Sequence, residues 1–171
     1  MILKCLKSFL PYSYLLILGL MDGKSEAYGQ TKLDGLTFKD ALNACVQAIS
    51  SGDLGTAADL FQSLENTFGS EDEYHAAEAQ SRILPLKGLA ELGAGRYAVA
   101  AHTLESLQEA FPQILQSNAS LLYGLAQAYR GSDKLEKARE MLALYISKFP
   151  GTAEASLAFL KKADLFFFWR V

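Results

Sequence analysis

The chain has 171 residues, half of them hydrophobic and a fifth charged, which is enough apolar material for one domain with a core and excludes a disordered tail. Its formal net charge of −3 lacks the basic excess that a nucleic-acid-binding face requires. Two cysteines, Cys5 and Cys45, are too few for a disulfide framework.

The amino terminus reads as an export signal over residues 1–29. Lys4 and Lys7 precede an apolar run over 9–21, and the polar stretch after it ends Ala27-Tyr28-Gly29, small-x-small grammar for cleavage before Gln30. The run is shorter than the ~20 residues of a membrane span. Cys5 lies before the apolar run, so there is no lipobox. Cleavage would leave Cys45 alone, among Ala41, Leu42, Ala44, Ala48 and Ile49 on an apolar helical face, where it fits as a small buried hydrophobe. No membrane-spanning segment is expected in the mature chain.

After a short leader over 30–37, Thr37 and Asp40 have the spacing of a capping box, and a helix is expected over 38–50. Ser51-Gly52-Asp53 makes a turn. Leu54, Ala57, Ala58, Phe61, Leu64 and Phe68 then recur at helical intervals. Ser70 with Glu73 predicts a further cap, with Glu71, Asp72 and Glu73 at the positive end of a helix dipole. That helix is expected to run on through Ala76, Ala79, Ile83, Leu86, Leu89 and Leu92, bent at Pro85.

A paired helix is expected over 96–110, closed by Phe111-Pro112. Another starts at Ser117 or Asn118 and carries Leu121, Leu122, Leu125, Ala128 and Tyr129, and its pair spans 134–148 before Phe149-Pro150-Gly151. Residues 152–171 begin like one more first helix, with Ala155, Leu157, Phe159, Leu160 and Ala163. They end in Phe166, Phe167, Phe168 and Trp169, an apolar patch that one helix face cannot hide.

The same frame recurs around Ala57, Ala100 and Ala138, at separations of 43 and 38 residues. The frames resemble the tetratricopeptide repeat, whose unit is ~34 residues and pairs small residues on two helices before a closing proline. Gly88 with Ala100 and Ala126 with Ala138 stand at the close-contact positions, Tyr129 fills the large slot, and Pro112 and Pro150 close copies two and three. In copy one Cys45 replaces the small residue and Phe68-Gly69 the proline. The longer spacings place one extra turn in copy three and an insertion around 71–81 before copy two.

The resemblance implies an all-α, right-handed superhelical array of antiparallel helix pairs, a TPR-like α-solenoid, with three pairs over 38–151. It also implies a concave groove that holds a protein or peptide partner, at positions matching Lys39, Leu42, Val46, Arg82, Leu89, Tyr123, Gln127 and Arg130. The family's carboxylate clamp would fall on Leu42, Val46, Leu86, Ser120 and Gly124, none of which can supply it. The Phe-Pro closures together with the export signal are similar to exported envelope repeat proteins of the BamD type or the Tol-Pal coordinator type. Periplasmic or envelope localisation is therefore expected. No chemistry is expected: His75 and His102 lack metal-ligand spacing, and there is no phosphate loop, nucleophile elbow or Cys-x-x-Cys, hence no cofactor and no metal. Two other readings remain open, an amino-terminal segment of a longer exported array and a regulatory subunit of an envelope enzyme.

Overall fold

The computed structural model describes residues 33, 35–151, 155, 157, 158, 161 and 162. The export signal expected over 1–29 and the aromatic run Phe166 to Trp169 lie outside the described residues. Over the described residues 35–151 eight helices follow one another: α1 (Phe38–Ser50), α2 (Leu54–Phe68), α3 (Asp72–His75), α4 (Ala77–Gly93), α5 (Tyr97–Ala110), α6 (Pro112–Ser117), α7 (Ala119–Gly131) and α8 (Leu135–Lys148). The described residues beyond Gly151 are helical as well.

Pairing is sequential. α1 packs on α2, α4 on α5 and α7 on α8, and each second helix also packs on the next first helix, α2 on α4 and α5 on α7. The first helices touch in turn, α1 with α4 and α4 with α7. Five residues before Ala57, Ala100 and Ala138 stand Gly52, Gly95 and Asp133, and all three take positive φ, at 82°, 76° and 61°. This left-handed residue reverses the chain between paired helices, and it is cheap only for glycine and, less so, for aspartate. In pairs two and three the chain then closes with Arg96 N–H donating to the Glu91 carbonyl and Lys134 N–H to the Tyr129 carbonyl, both at 2.8 Å, the wide bond of a Schellman cap.

The helix starts follow the sequence in part. The Thr37 hydroxyl accepts from the Asp40 amide at 3.3 Å and Asn118 caps α7 through the Leu121 amide at 3.2 Å, while Asp53 caps α2 through Thr56 at 3.0 Å. The cap expected at Ser70 is absent: Glu71 stands at the cap of α3 with no side-chain bond, and the helix stops after one turn before Ala76, whose backbone is extended (ψ 135°). The cause is Tyr74. The break turns its ring inward against Phe38, 6.3 Å away edge-on, and the Tyr74 carbonyl freed at the end of the turn accepts from Gln80 Nε2 at 2.7 Å. α4 then runs unbroken through Pro85.

The extra residues of copy three are likewise not an added turn of α5 but a separate helix, α6. Phe111 precedes a proline, which disfavours helical backbone, and sits at φ −138° with Pro112 in the first turn of α6. Fully buried Leu115 anchors this short helix.

The apolar core has two parts. One joins α1, α2, Tyr74 and the Ile83 and Ala90 face of α4. The other joins α5 to α8 with Ala155 and Ala158, and Leu84, Leu89 and Leu92 of α4 pack against it. Cys45 is completely buried in the first, and burial pushes its thiol up to about 11, as expected for a packing residue.

Candidate functional site: the face of the first helices

Lys39, Leu42 and Arg82 come together. With Phe38, Ala76, Ala79, Glu73 and Glu78 they line a groove of about 260 Å³ between α1 and α4. Phe38 and Leu42 are buried and form its floor, while Lys39 and Arg82 stand exposed at its edges. Helical spacing puts Lys39 and Leu42 one turn apart on one face of α1, and the α3 break carries Glu73 and Ala76 to the opposite wall. The groove therefore offers apolar contact below and charge of both signs above.

The other expected groove residues do not line this pocket. Val46 is half-buried one turn beyond Leu42, and Arg130 is exposed at the end of α7. Leu89 lies where α4 meets α7: a methyl placed on Gly124 would stand 3.5 Å from Leu89 Cδ2. Gln127 is half-buried on α7. Tyr123 is turned to the last pair, its ring 5.4 Å from that of Tyr145 and 5.1 Å from Lys161 Nζ. Its buried hydroxyl has no hydrogen-bond partner. Of the positions expected for a clamp, Leu42 and Gly124 are buried and Ser120 is exposed.

Sequence reading missed a second cleft, of about 490 Å³, on the side of the second helices. Glu65 of α2, Tyr74 and His75 of α3, Lys87 of α4, and His102 and Thr103 of α5 are among its lining residues. The two histidines, 27 positions apart in the chain, thus flank one opening. His75 is engaged through Nε2 with the Gly69 carbonyl at 2.7 Å. No group of three potential metal ligands exists among the described residues.

Beneath the cleft lie Lys87, Glu91 and Thr103, the buried polar side chains among the described residues. Lys87 Nζ donates to Glu65 Oε2 at 2.6 Å and stands 3.9 Å from Glu91 Oε1. Thr103 Oγ1 donates to Glu91 Oε2 at 2.7 Å. Burial raises the Glu91 carboxyl above its ordinary value, against the lowering effects of Thr103 and Lys87. Shifting the frame by the 38 residues from Ala100 to Ala138 would have exposed this cluster, because Lys87, Glu91 and Thr103 fall on Leu125, Tyr129 and Met141 of the next pair.

Stacked helix pairs that repeat one left-handed turn and one packing scheme define an α-solenoid, and among the described residues it contains no strand. In agreement, a tetratricopeptide repeat profile matches residues 91–162, from the end of α4 into the final helical segment. No curated protein matches the chain. Among solved structures, MamA 41-end from Desulfovibrio magneticus RS-1 is similar at 18% identity, over 80% of this chain and 99% of that one, with a TM-score of 0.35. A likeness at that score bears on neither ligand nor activity. No described helix is long and apolar enough to cross a membrane.

Proposed function

We propose that the chain is a non-catalytic scaffold that holds a segment of a partner protein across the face of its first helices. The observation that carries this reading is the groove between α1 and α4, where Lys39, Leu42 and Arg82 meet. Its buried floor suits one apolar anchor side chain, and neither Lys39 nor Arg82 has an ion-pair partner among the described residues. Solenoids use such extended surfaces to bind polypeptide segments. In this reading the partner segment would extend along the first helices towards half-buried Leu89 and Gln127.

We place this activity in the cell envelope, on the strength of Lys4, Lys7, the apolar run and Ala27-Tyr28-Gly29. Affinity purification from an envelope fraction, followed by mass spectrometry, tests the whole reading. A partner retained by the wild type should be lost by the Lys39→Glu, Arg82→Glu double variant at unchanged melting temperature, and kept by Gln108→Glu on the outer face of α5. Equal retention by both variants would rule the groove out.

A further inference from the structure

We propose that the linked side chains Glu65, Lys87, Glu91 and Thr103 form a proton-sensitive joint that holds α4 between α2 and α5, closed when Glu91 is neutral and loosened when it ionises. Three features converge on it. The cluster joins three helices, because Lys87 ties α4 to α2 and Glu91 ties α4 to α5. It lies on α4, the helix that both apolar cores share, as a buried polar layer beside the apolar contacts that pack α4 on α5. The cleft of about 490 Å³ opens directly over Lys87 and Thr103 and gives water a route to them.

Geometry sets the direction. Glu91 is 2% exposed, and an ionised carboxylate at such a site needs a close counter-charge. The nearest ammonium, Lys87, is 3.9 Å away and is already committed to Glu65 at 2.6 Å. Neutral Glu91 keeps its bond to Thr103 without that cost. Ionised Glu91 gains free energy if the α4–α5 seam opens enough for cleft water to reach it. The raised proton affinity of the buried carboxyl has the same sign: a proton favours the closed seam, and the seam loosens as pH rises through the raised value.

Other charged groups around α4 are placed differently. Arg96, in the following turn, is paired with Asp59 of α2, and its charge opposes the rise at Glu91 only as the last of the contributions there. α3 brings buried Tyr74 and exposed Asp72, Glu73 and His75, α1 the exposed Lys39 and Asp40, α5 the exposed His102, and α7 the exposed Arg130. His75 and His102 both line the same cleft, so each imidazole needs its own control.

The test uses the full chain with Cys5→Ser, spin labels on Gln47→Cys of α1 and Ser147→Cys of α8, and buried Cys45 left unreactive. Wild-type protein should give a narrow interlabel distance distribution near pH ~5 and one that is broader, or displaced by at least ~2 Å, near pH ~8. Glu91→Gln, which stays neutral and can still accept from Thr103, should give the narrow distribution at both. So should the triple variant Lys87→Leu, Glu91→Tyr, Thr103→Met, which installs the side chains of the next pair. His75→Gln and His102→Gln should each keep the wild-type response. A wild-type distribution that ignores pH, or a response that survives Glu91→Gln, would overturn the proposal. Loss of the response in either histidine variant would assign it to that imidazole and overturn the proposal as well.

Discussion

Gly131, at the end of α7, lies directly against the ring of Tyr97, the first residue of α5, and a methyl on the glycine would overlap the root of that ring. Gly93, at the end of α4, stands in the same relation to Leu54, the first residue of α2. The two contacts occupy equivalent places in successive pairs, and they set how closely each second helix approaches the first helix of the next pair. Gly93→Ala and Gly131→Ala should therefore each cost about 1–3 kcal/mol through overpacking. Gly55→Ala, in the open first turn of α2 with only Asp53 Oδ1 at 3.6 Å, should instead stabilise by up to about 1 kcal/mol. Denaturant melts of the three variants check the contrast.

The expected partner of Gly88 was Ala100, but the side chain that closes over it is Leu104, one turn further along α5. Ala100 is itself fully buried, so the small-residue pattern marks the right pair of helices, and Leu104 supplies the nearest side chain over Gly88. Gly88→Ala would drive a methyl into a leucine with no exposed surface. A loss of about 1–3 kcal/mol in the same melts is the expected outcome.

Asp133 holds φ 61° where the two earlier pairs have glycine. A non-glycine residue in this region is strained, aspartate less than most. Asp133→Gly should raise the unfolding midpoint by the equivalent of about 0.5–1 kcal/mol, and Asp133→Val should lower it by more than that. Thermal melts of both would show whether the left-handed turn is a true element of the repeat.

Glu105 of α5 joins the second and third pairs. It accepts from Lys137 at 2.8 Å and from the Tyr129 hydroxyl at 2.9 Å, and the Lys137 bond holds its carboxyl below the usual range. The contribution is therefore present above the ordinary carboxylate value and is lost as pH falls through the lowered one. At neutral pH Glu105→Gln should cost about 0.5–1 kcal/mol, the scale of a partly screened ion pair. The difference from wild type should vanish in strong acid. Urea titrations at both pH values measure it.

The large elements were legible because helical periodicity, turn glycines and Phe-Pro closures all point to the same boundaries: α1, α2, α5, α7 and α8 begin and end within a residue or two of their expected limits. The failures have a common cause in tertiary packing. The break at Ala76 follows from burying Tyr74 against Phe38, and no local signal in Ala76, Ala77 and Ala79 marks it. α6 depends on a pocket for Leu115, which helical periodicity alone does not display. Of the groove residues, Lys39, Leu42 and Arg82 converge, whereas Tyr123 is engaged with Tyr145 and Lys161. The buried cluster at Glu91 was concealed because a glutamate in a helix ordinarily faces solvent; only alignment of the second pair with the third reveals that it occupies the Tyr129 slot.

Export is a separate expectation with a direct check. Protein recovered from an envelope fraction should begin at Gln30, read by intact-mass spectrometry. A cytosolic pool that retains Met1 would contradict it.

The most direct test of the binding face is site-specific photocrosslinking in cells. A photoreactive residue at Lys39 or Gln127, on α1 and α7, should form adducts with a common protein partner, while the same residue at Gln108 on the outer face of α5 should not. Adducts formed equally at Gln108, or none at Lys39 and Gln127 in a chain that still folds, would contradict the account.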